Sequence, residues 1–317
     1  MGKIAFLYPG QGSQKVGMGS ELQKGAPELF ENYLERSNAA TGVPVTQYCL
    51  EGPQASLSQT HVAQPALFAH SLALTEYAQQ LGLQPAMVAG HSLGEYTAAV
   101  AVGALSFEDG LHLVSQRGKL MHQVQDEHPG AMAAIVGLAV EALHDLCETI
   151  SQHHLVTVTN WNTHTQFVVS GAEAGVLALM DAATSHKNVR AVRLATRGAF
   201  HSPLMQPVQS ALAAVMQHLS WHNAHTPLVA NVSGEAITQS HHIRHELITQ
   251  ITHPVQWVRC VETLIESGCD TFIELGASQV LTRLVRSIAP DSKTFAADTL
   301  ERVAAVAATL NSPAYAA

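Results

Sequence analysis

The stretch Gly90-His91-Ser92-Leu93-Gly94 has the spacing of a cramped turn between a short apolar strand, Met87 to Ala89, and an alanine-rich helix, Glu95 to Val102. With hardly a residue between strand and helix, Gly90 and Gly94 stand where a Cβ would clash, and the Ser92 hydroxyl is pushed out at the head of the helix. This is the pattern of a nucleophile elbow. A serine is weak as a nucleophile on its own and is activated by a neighbouring base, while backbone N–H groups at the helix start face a developing oxyanion.

The base must come from elsewhere in the chain. The sequence holds 19 histidines, and chain order singles out His201, because hydrolase-like α/β folds put the base C-terminal to the elbow serine. It lies in Gly198-Ala199-Phe200-His201-Ser202-Pro203, where Ser202 and Pro203 suit the N-cap and first residue of a helix from Leu204 to Leu219. A third residue with chemistry is Arg117, in the middle of the inward stripe Leu113, Val114, Leu120, Met121 and Val124 of a helix that Ser106 caps, with Asp109 at its third position. A guanidinium there keeps its charge and must meet an anion. Position alone leaves two readings open: a substrate anion, or a structural ion pair with an Asp or Glu of the chain.

These residues need a sheet to present them. Lys3 to Tyr8 is apolar without alternation, as in a strand buried on both faces of a mostly parallel sheet. It ends in Pro9-Gly10-Gln11-Gly12-Ser13-Gln14, which lacks the Gly-Lys-Ser/Thr of a phosphate loop, and Lys15 stands where a dinucleotide fingerprint needs its third glycine. The loop supplies free backbone N–H groups instead. Residues 19 to 40 and Gln59 to Leu81 read as helical, with Pro65 suited to a first turn. From Gly130 the rhythm becomes strand (Ala131 to Gly137), helix (Val140 to Ile150), two strands around an Asn160-Trp161-Asn162-Thr163 turn, helix (Glu173 to Ser185) and strand (Val189 to Ala195). That β-α-β-β-α-β order is ferredoxin-like. The expected organisation is an α/β protein in which 1–127 and 198–317 form a hydrolase-like catalytic subdomain with a mostly parallel sheet, and 128–197 form an inserted ferredoxin-like small subdomain. Later units are strands near Leu228 to Val232, Thr271 to Leu275 and Thr294 to Ala296, and helices ending at Gln250, spanning Ser278 to Ile288 and starting at Leu300. Ser312 to Ala317 reads as a frayed tail.

Composition narrows the functional classes. The 317 residues are 47% hydrophobic and only 13% charged, with 16 Lys and Arg against 25 Asp and Glu, a net charge of −9. That sign argues against nucleic-acid or anionic-membrane binding. Cys49, Cys147, Cys260 and Cys269 form no Cys-x-x-Cys pair and read as reduced, buried hydrophobes of a cytoplasmic protein. Ile4 to Tyr8 is too short an apolar run for a signal peptide, and no segment reaches the length of a membrane span. The His153-His154 and His241-His242 clusters match no zinc spacing.

Six stretches together resemble a known family. Tyr8-Pro9-Gly10-Gln11-Gly12-Ser13-Gln14, Gly90-His91-Ser92-Leu93-Gly94-Glu95-Tyr96, Arg117-Gly118-Lys119-Leu120-Met121, Gly130-Ala131-Met132-Ala133-Ala134, Phe200-His201-Ser202 and His253-Pro254-Val255-Gln256-Trp257 are similar to malonyl-CoA:acyl carrier protein transacylases and the acyltransferases of polyketide synthases. The likeness runs over nearly the whole chain in the same order. It implies Ser92 as nucleophile, His201 as general base, and Gln250 as the residue whose main-chain carbonyl steers the histidine. It implies Gln11 and Leu93 as the oxyanion-hole donors and Arg117 as the partner of the malonyl carboxylate. The implied substrate is malonyl-CoA and the implied partner an acyl carrier protein bearing phosphopantetheine, with no bound cofactor, no metal, no nucleic acid and no membrane, in a cytoplasmic monomer serving fatty-acid or trans-acting polyketide synthesis. Lys187, Arg190, Arg193 and Arg197 are candidates for docking an acidic carrier, against the alternative of a solvated face. Phe200 departs from the serine found here in many fatty-acid transacylases and resembles the Phe-His-Ser pattern of malonyl-selective polyketide acyltransferases. Competing readings are an acyl-enzyme-editing hydrolase or serine esterase on the same elbow, and a noncatalytic carrier-binding subunit.

Overall fold

Strand β1 (Lys3–Tyr8) is the axis of the larger sheet, and its side chains are buried alternately into two different cores. The computed structural model describes residues 2–127, 129–196 and 198–312. Phe6 and Tyr8 join one apolar cluster, while Ala5 and Leu7 join a second on the opposite face. Burial on both faces explains why this strand shows no apolar/polar alternation.

Helical residues Ser20–Gly25, Pro27–Leu29, Phe30–Glu35 and Arg36–Thr41 follow β1, as the reading of residues 19 to 40 expected; the run breaks once, at Ala26, and is π-helical over Phe30–Glu35, and two short helices, Val45–Leu50 and Gln54–Leu57, come after it. Helix α1 (Thr60–Gln80) then places Leu67, Phe68, Leu72 and Leu74 in the first core. Each such side chain contributes about 1.5–3 kcal/mol by leaving water. Pro65 lies in its second turn, because the helix begins at Thr60 without a side-chain cap. Next come β2 (Met87–Gly90), α2 (Leu93–Ala101) and α3 (Phe107–Glu127). The expected cap of α3 is present: Asp109 N–H donates to Ser106 Oγ at 3.0 Å.

The chain then leaves the first sheet for β3 (Gly130–Val136), α4 (Val140–Ser151), β4 (Val156–Thr163), β5 (Gln166–Ala172), α5 (Glu173–Thr184) and β6 (Arg190–Arg193). These strands form an antiparallel sheet in the order β4-β5-β3-β6. One face packs on α4 and α5 in a third cluster, and from the other Met132 and Val168 reach into the first. The Asn160-Trp161-Asn162-Thr163 segment is strand and not turn, and the reversal falls at His164-Thr165. Long-range pairing overrides the local turn signal: Trp161 N–H donates to Val255 O and Val255 N–H to Thr159 O, both at 2.9 Å. The small sheet is thereby stitched to the large unit.

The first sheet resumes after a 3-10 turn, Pro203–Met205, and helix α6 (Gln206–Met216). Ser202 caps the turn by accepting from Leu204 N–H at 3.3 Å, and α6 stops short of Leu219. Strands β7 (Leu228–Val229) and β8 (Ala236–Ile237), helices α7 (Ser240–Thr249) and α8 (Trp257–Glu266), β9 (Cys269–Leu275), α9 (Val280–Ile288), β10 (Lys293–Ala297) and α10 (Leu300–Leu310) follow. The two-residue β8 was not anticipated. Sheet order is β10-β9-β1-β2-β7-β8, with every pair parallel except β7 and β8. The four cysteines are buried and unpaired. The expected subdomain boundaries at 128 and 197 and the tail beyond 312 lie outside the described residues.

The elbow depends on one close approach. A Cβ on Gly94 would lie 1.9 Å from Tyr8 O, and one on Gly90 would lie 1.9 Å from the Gly94 carbonyl. Neither neighbour is a movable side-chain tip. Gly94→Ala is therefore expected to destabilise the protein by about 3 kcal/mol, read as a lower urea midpoint at unchanged slope. A wild-type midpoint would show that β1 and α2 do not approach this closely.

Candidate active site

The site lies where β1 and β2 end side by side, with Tyr8 opposite Gly90. Past Gly90 the chain bends sharply and Ser92 adopts φ 53°, ψ −106°, ahead of the first turn of α2. A left-handed backbone at a non-glycine residue carries strain of about 1–3 kcal/mol and persists only where surrounding contacts enforce it. Here Ser92 N–H donates to Asn231 Oδ1 at 2.8 Å, and Gly94 and Glu95 N–H close the turn onto His91 O and Ser92 O.

His201 also has positive φ, 57°, and its ring meets the serine. His201 Nε2 lies 2.7 Å from Ser92 Oγ, and Nδ1 lies 2.7 Å from the main-chain carbonyl of Gln250. A carbonyl only accepts, so Nδ1 carries the proton and Nε2 is left to accept from the serine hydroxyl. Burial pushes the imidazole down to about 3, with the nearby Arg117 charge acting in the same direction. A neutral imidazole oriented in this way is equipped to take the serine proton.

Arg117 is 1% exposed. Its Nη2 donates to Ser92 Oγ and to Gln250 Oε1, each at 3.1 Å, and the guanidinium lies over the Tyr96 ring, 4.9 Å from its centre. Its Nε has no partner. Among the described residues it makes no direct ion pair, so the structural alternative raised by its position in the stripe is not what the fold supplies. Gln250 links two arms of the site: its carbonyl orients His201, while its side-chain amide accepts from Arg117 and donates to Ser92 O at 2.9 Å and Glu95 Oε2 at 2.5 Å. Burial pushes Glu95 up to about 8, against the stabilising N–H donors of Gln250 and Asn231.

Gln11 sits on the loop after β1, against the elbow; a Cβ on the preceding Gly10 would be 2.5 Å from His91 O. Its side chain donates to Thr60 Oγ1 at 3.1 Å, as does Gln125. Leu93 is the first residue of α2, so its N–H has no intrahelical acceptor. A cleft of about 350 Å³ opens here, lined by Gln11, Ser58, Gln59, Thr60, His122, Gln125 and Thr196. Phe200, beside His201, is buried in the first core. Arg190 and Arg193 are exposed on β6 and Lys187 in the turn before it, with Arg193 paired to Glu173, and Arg197 lies outside the described residues.

The structure thus brings Ser92, His201, Arg117 and Gln250 into mutual contact, with Gln11 and Leu93 flanking the serine. Sequence reasoning passed over Glu95, Asn231 and the His91–Asn162 contact, where Nε2 and Oδ1 are 2.9 Å apart across the two sheets. Glu95 had a signal of the same kind as Arg117, a charge inside an otherwise apolar helix. Asn231, one polar residue after an apolar strand, had none. Among the described residues no three His, Cys, Asp or Glu side chains gather as metal ligands, and no helix is long and apolar enough to cross a membrane.

An elbow serine, a neutral histidine and a buried guanidinium with no ion pair among the described residues define an α/β protein with the groups of serine-based acyl transfer. The chain matches the family described as acyl transferase domain over residues 5–307 and belongs to that family. It is 38% identical over 304 residues to the malonyl CoA-acyl carrier protein transacylase of Bacillus subtilis, covering 96% of each chain. It superposes with TM-score 0.92 on the malonyl-CoA:acyl carrier protein transacylase of Xanthomonas oryzae, at 35% identity over 98% of each chain. A third match, TM-score 0.90 and 33% identity over 95% of this chain and 97% of the other, is the malonyl-transacylase in a complex with a type II polyketide synthase acyl-carrier protein.

The low His201 pKa carries a stability signature. Between about 3 and 6.5 the unfolded chain binds a proton that folded His201 does not, so stability falls as pH drops through this range. Glu95 acts in the opposite sense between 4.5 and 8, where the folded state holds the extra proton. Comparing His201→Ala with wild type isolates the first effect. The variant should lose less stability on acidification from 6.5 to 5, by up to about 1.4 kcal/mol per pH unit, measured by urea titration at each pH. Parallel pH slopes would contradict a buried neutral imidazole.

Proposed function

We infer that this protein is a malonyl-CoA:acyl carrier protein transacylase, moving a malonyl group from malonyl-CoA to the phosphopantetheine thiol of a carrier protein for fatty-acid or polyketide synthesis. The observation that carries this reading is Arg117, a buried cation whose Nη2 is 3.1 Å from Ser92 Oγ and which makes no ion pair among the described residues. An acyl group with a free carboxylate attached to Ser92 would pair with it; an acetyl group would leave it unpaired.

His201 Nε2 takes the Ser92 proton as Oγ attacks the thioester carbonyl. The tetrahedral oxyanion is held by the Gln11 and Leu93 N–H groups, and its collapse expels the coenzyme A thiolate, which His201 protonates. The carrier's thiol then attacks the malonyl-serine ester, with His201 again accepting the proton; collapse breaks the Ser92 Oγ–acyl bond, His201 returns the proton to Oγ, and the malonyl group leaves as a thioester of the carrier. No cofactor or metal enters these steps. The amide and hydroxyl groups lining the cleft beside Gln11 suit the amide-bearing pantetheine arm common to both thiols. Lys187, Arg190, Arg193 and Arg197 remain the docking candidates for an acidic carrier. We assign 128–197 as the small subdomain and 1–127 with 198–317 as the catalytic one. The four buried, unpaired cysteines suit a reducing compartment, and we assign the protein to the cytoplasm, as a monomer without membrane or nucleic-acid partners.

Two experiments test this. Intact mass after exposure to malonyl-CoA should show one malonyl group on the wild type and none on Ser92→Ala. Arg117→Ala should lower malonyl transfer about 100-fold or more while moving acetyl transfer much less. Rapid release of malonate to water, without transfer to an added carrier, would favour the editing hydrolase or esterase instead. We infer from the Phe-His-Ser resemblance that the Phe200 ring bounds the acyl pocket at the α-carbon, so malonyl-CoA should be preferred to methylmalonyl-CoA by a factor of about 10 or more. Phe200→Ser should narrow that preference, and an unchanged ratio would remove Phe200 from selectivity.

A further inference from the structure

The ladder between β2 and β7 runs Val88 to Leu228 and Ala89 to Val229. One residue past the end of β2 the chain turns out of the sheet, and no main-chain rung can follow. A side chain supplies the rung. Asn231 Nδ2 donates to Gly90 O at 2.6 Å, and Ser92 N–H donates to Asn231 Oδ1 at 2.8 Å. One carboxamide therefore grips the backbone on both sides of His91, in the strained conformation that aims Ser92 Oγ at His201 Nε2.

Asn231 is itself held. It is fully buried, its N–H donates to Glu95 Oε1 at 3.1 Å, and its carbonyl accepts from Gln256 N–H at 2.8 Å. Glu95 extends from α2, the helix that the elbow opens, so strand, turn and helix are tied through one asparagine. The chemistry of the contact selects this residue type. A planar amide offers an acceptor and a donor side by side; an aspartate has no donor for Gly90 O, and a serine is too short to span both groups.

We propose that Asn231 is a positioning residue for acylation, enforcing the backbone conformation of Ser92 from which the hydroxyl reaches both the base and the thioester. The proposal rests on the reading of Ser92 as the acylated residue. It also accounts for the oxyanion donors: the Ser92 N–H is already committed to Asn231, which leaves this role to Leu93 and Gln11.

The test is single-turnover acylation by malonyl-CoA and by acetyl-CoA in Asn231→Ala and Asn231→Asp, read by intact mass. Loss of positioning should slow acylation at saturation by about 10-fold or more for both thioesters alike, with half-saturating concentrations moved less than about 3-fold. A folded variant that acylates at the wild-type rate overturns the proposal. So does a loss confined to malonyl-CoA, which would assign Asn231 to the Arg117 arm. Amide hydrogen exchange of the wild type probes the bond without any substitution: Ser92 N–H should exchange as slowly as the amides of β2, and exchange at the rate of an open loop overturns the proposal even where both variants fail to fold. A wild type that takes no acyl group from either thioester would overturn the functional reading, while the exchange result would still report on the Asn231 contact.

Discussion

A guanidinium taken out of water must be satisfied without being neutralised, and the site is arranged around that requirement. A charge this buried is destabilising unless polar groups replace its hydration. Arg117 finds them in Ser92 Oγ, Gln250 Oε1 and the Tyr96 ring. Glu95, whose carboxyl group burial pushes up to about 8, is kept one amide away: it accepts from Gln250 Nε2, and the other end of the same amide accepts from Arg117. The amide dipole points its negative end at the guanidinium and its positive end at the glutamate. Both buried groups are hydrogen-bonded, yet the arginine is not locked into a direct ion pair with a described residue. Gly118 contributes by letting α3 come close to α1, since a Cβ there would lie 3.0 Å from His61 Cα and 3.1 Å from Thr60 O.

The fold brings the other groups to that cation from far along the chain. Ser92 comes from the end of a parallel strand, His201 from the segment where the chain returns from the small sheet, and Gln250 from the end of α7. Their separation in sequence is what the sheet topology resolves. The insertion is more than a decoration, because the Val255 pairing with β4 and the contact of His91 with Asn162 anchor it on both sides of the elbow. Three apolar clusters, two on the faces of the large sheet and one under the small sheet, leave the polar network at the junction. That is where a cleft can form without opening a core.

Much of this was legible because the signals were local. The strand-turn-helix of the elbow, the Ser106 cap and the β-α-β-β-α-β rhythm each depend on residues adjacent in sequence, and the structure has them with ends shifted by a few positions. Arg117 stood out because a charge in an apolar stripe needs a reason. Misreadings occurred where distant pairing decides. Asn160 to Thr163 has turn composition but is held straight by Val255, and β8 exists only because β7 offers it an edge. Asn231 and Glu95 escaped notice for the same reason: their partners are backbone groups and amides more than a hundred residues away or on a helix read as apolar.

The choice of a main-chain carbonyl to orient His201 follows from the cation next door. A carboxylate at that position would stabilise the imidazolium more strongly, and hydrolases use one for this purpose. Here Arg117 Nη2 contacts the side chain of the very residue that supplies the carbonyl, and the guanidinium charge already acts on the imidazole. A carboxylate in place of the carbonyl would add a second buried charge to this network, with its own cost of desolvation. A neutral carbonyl fixes the tautomer without offering a charge to compete. The consequence is a base held neutral well below its ordinary pKa by burial and by the arginine, beside a guanidinium that makes no direct ion pair among the described residues.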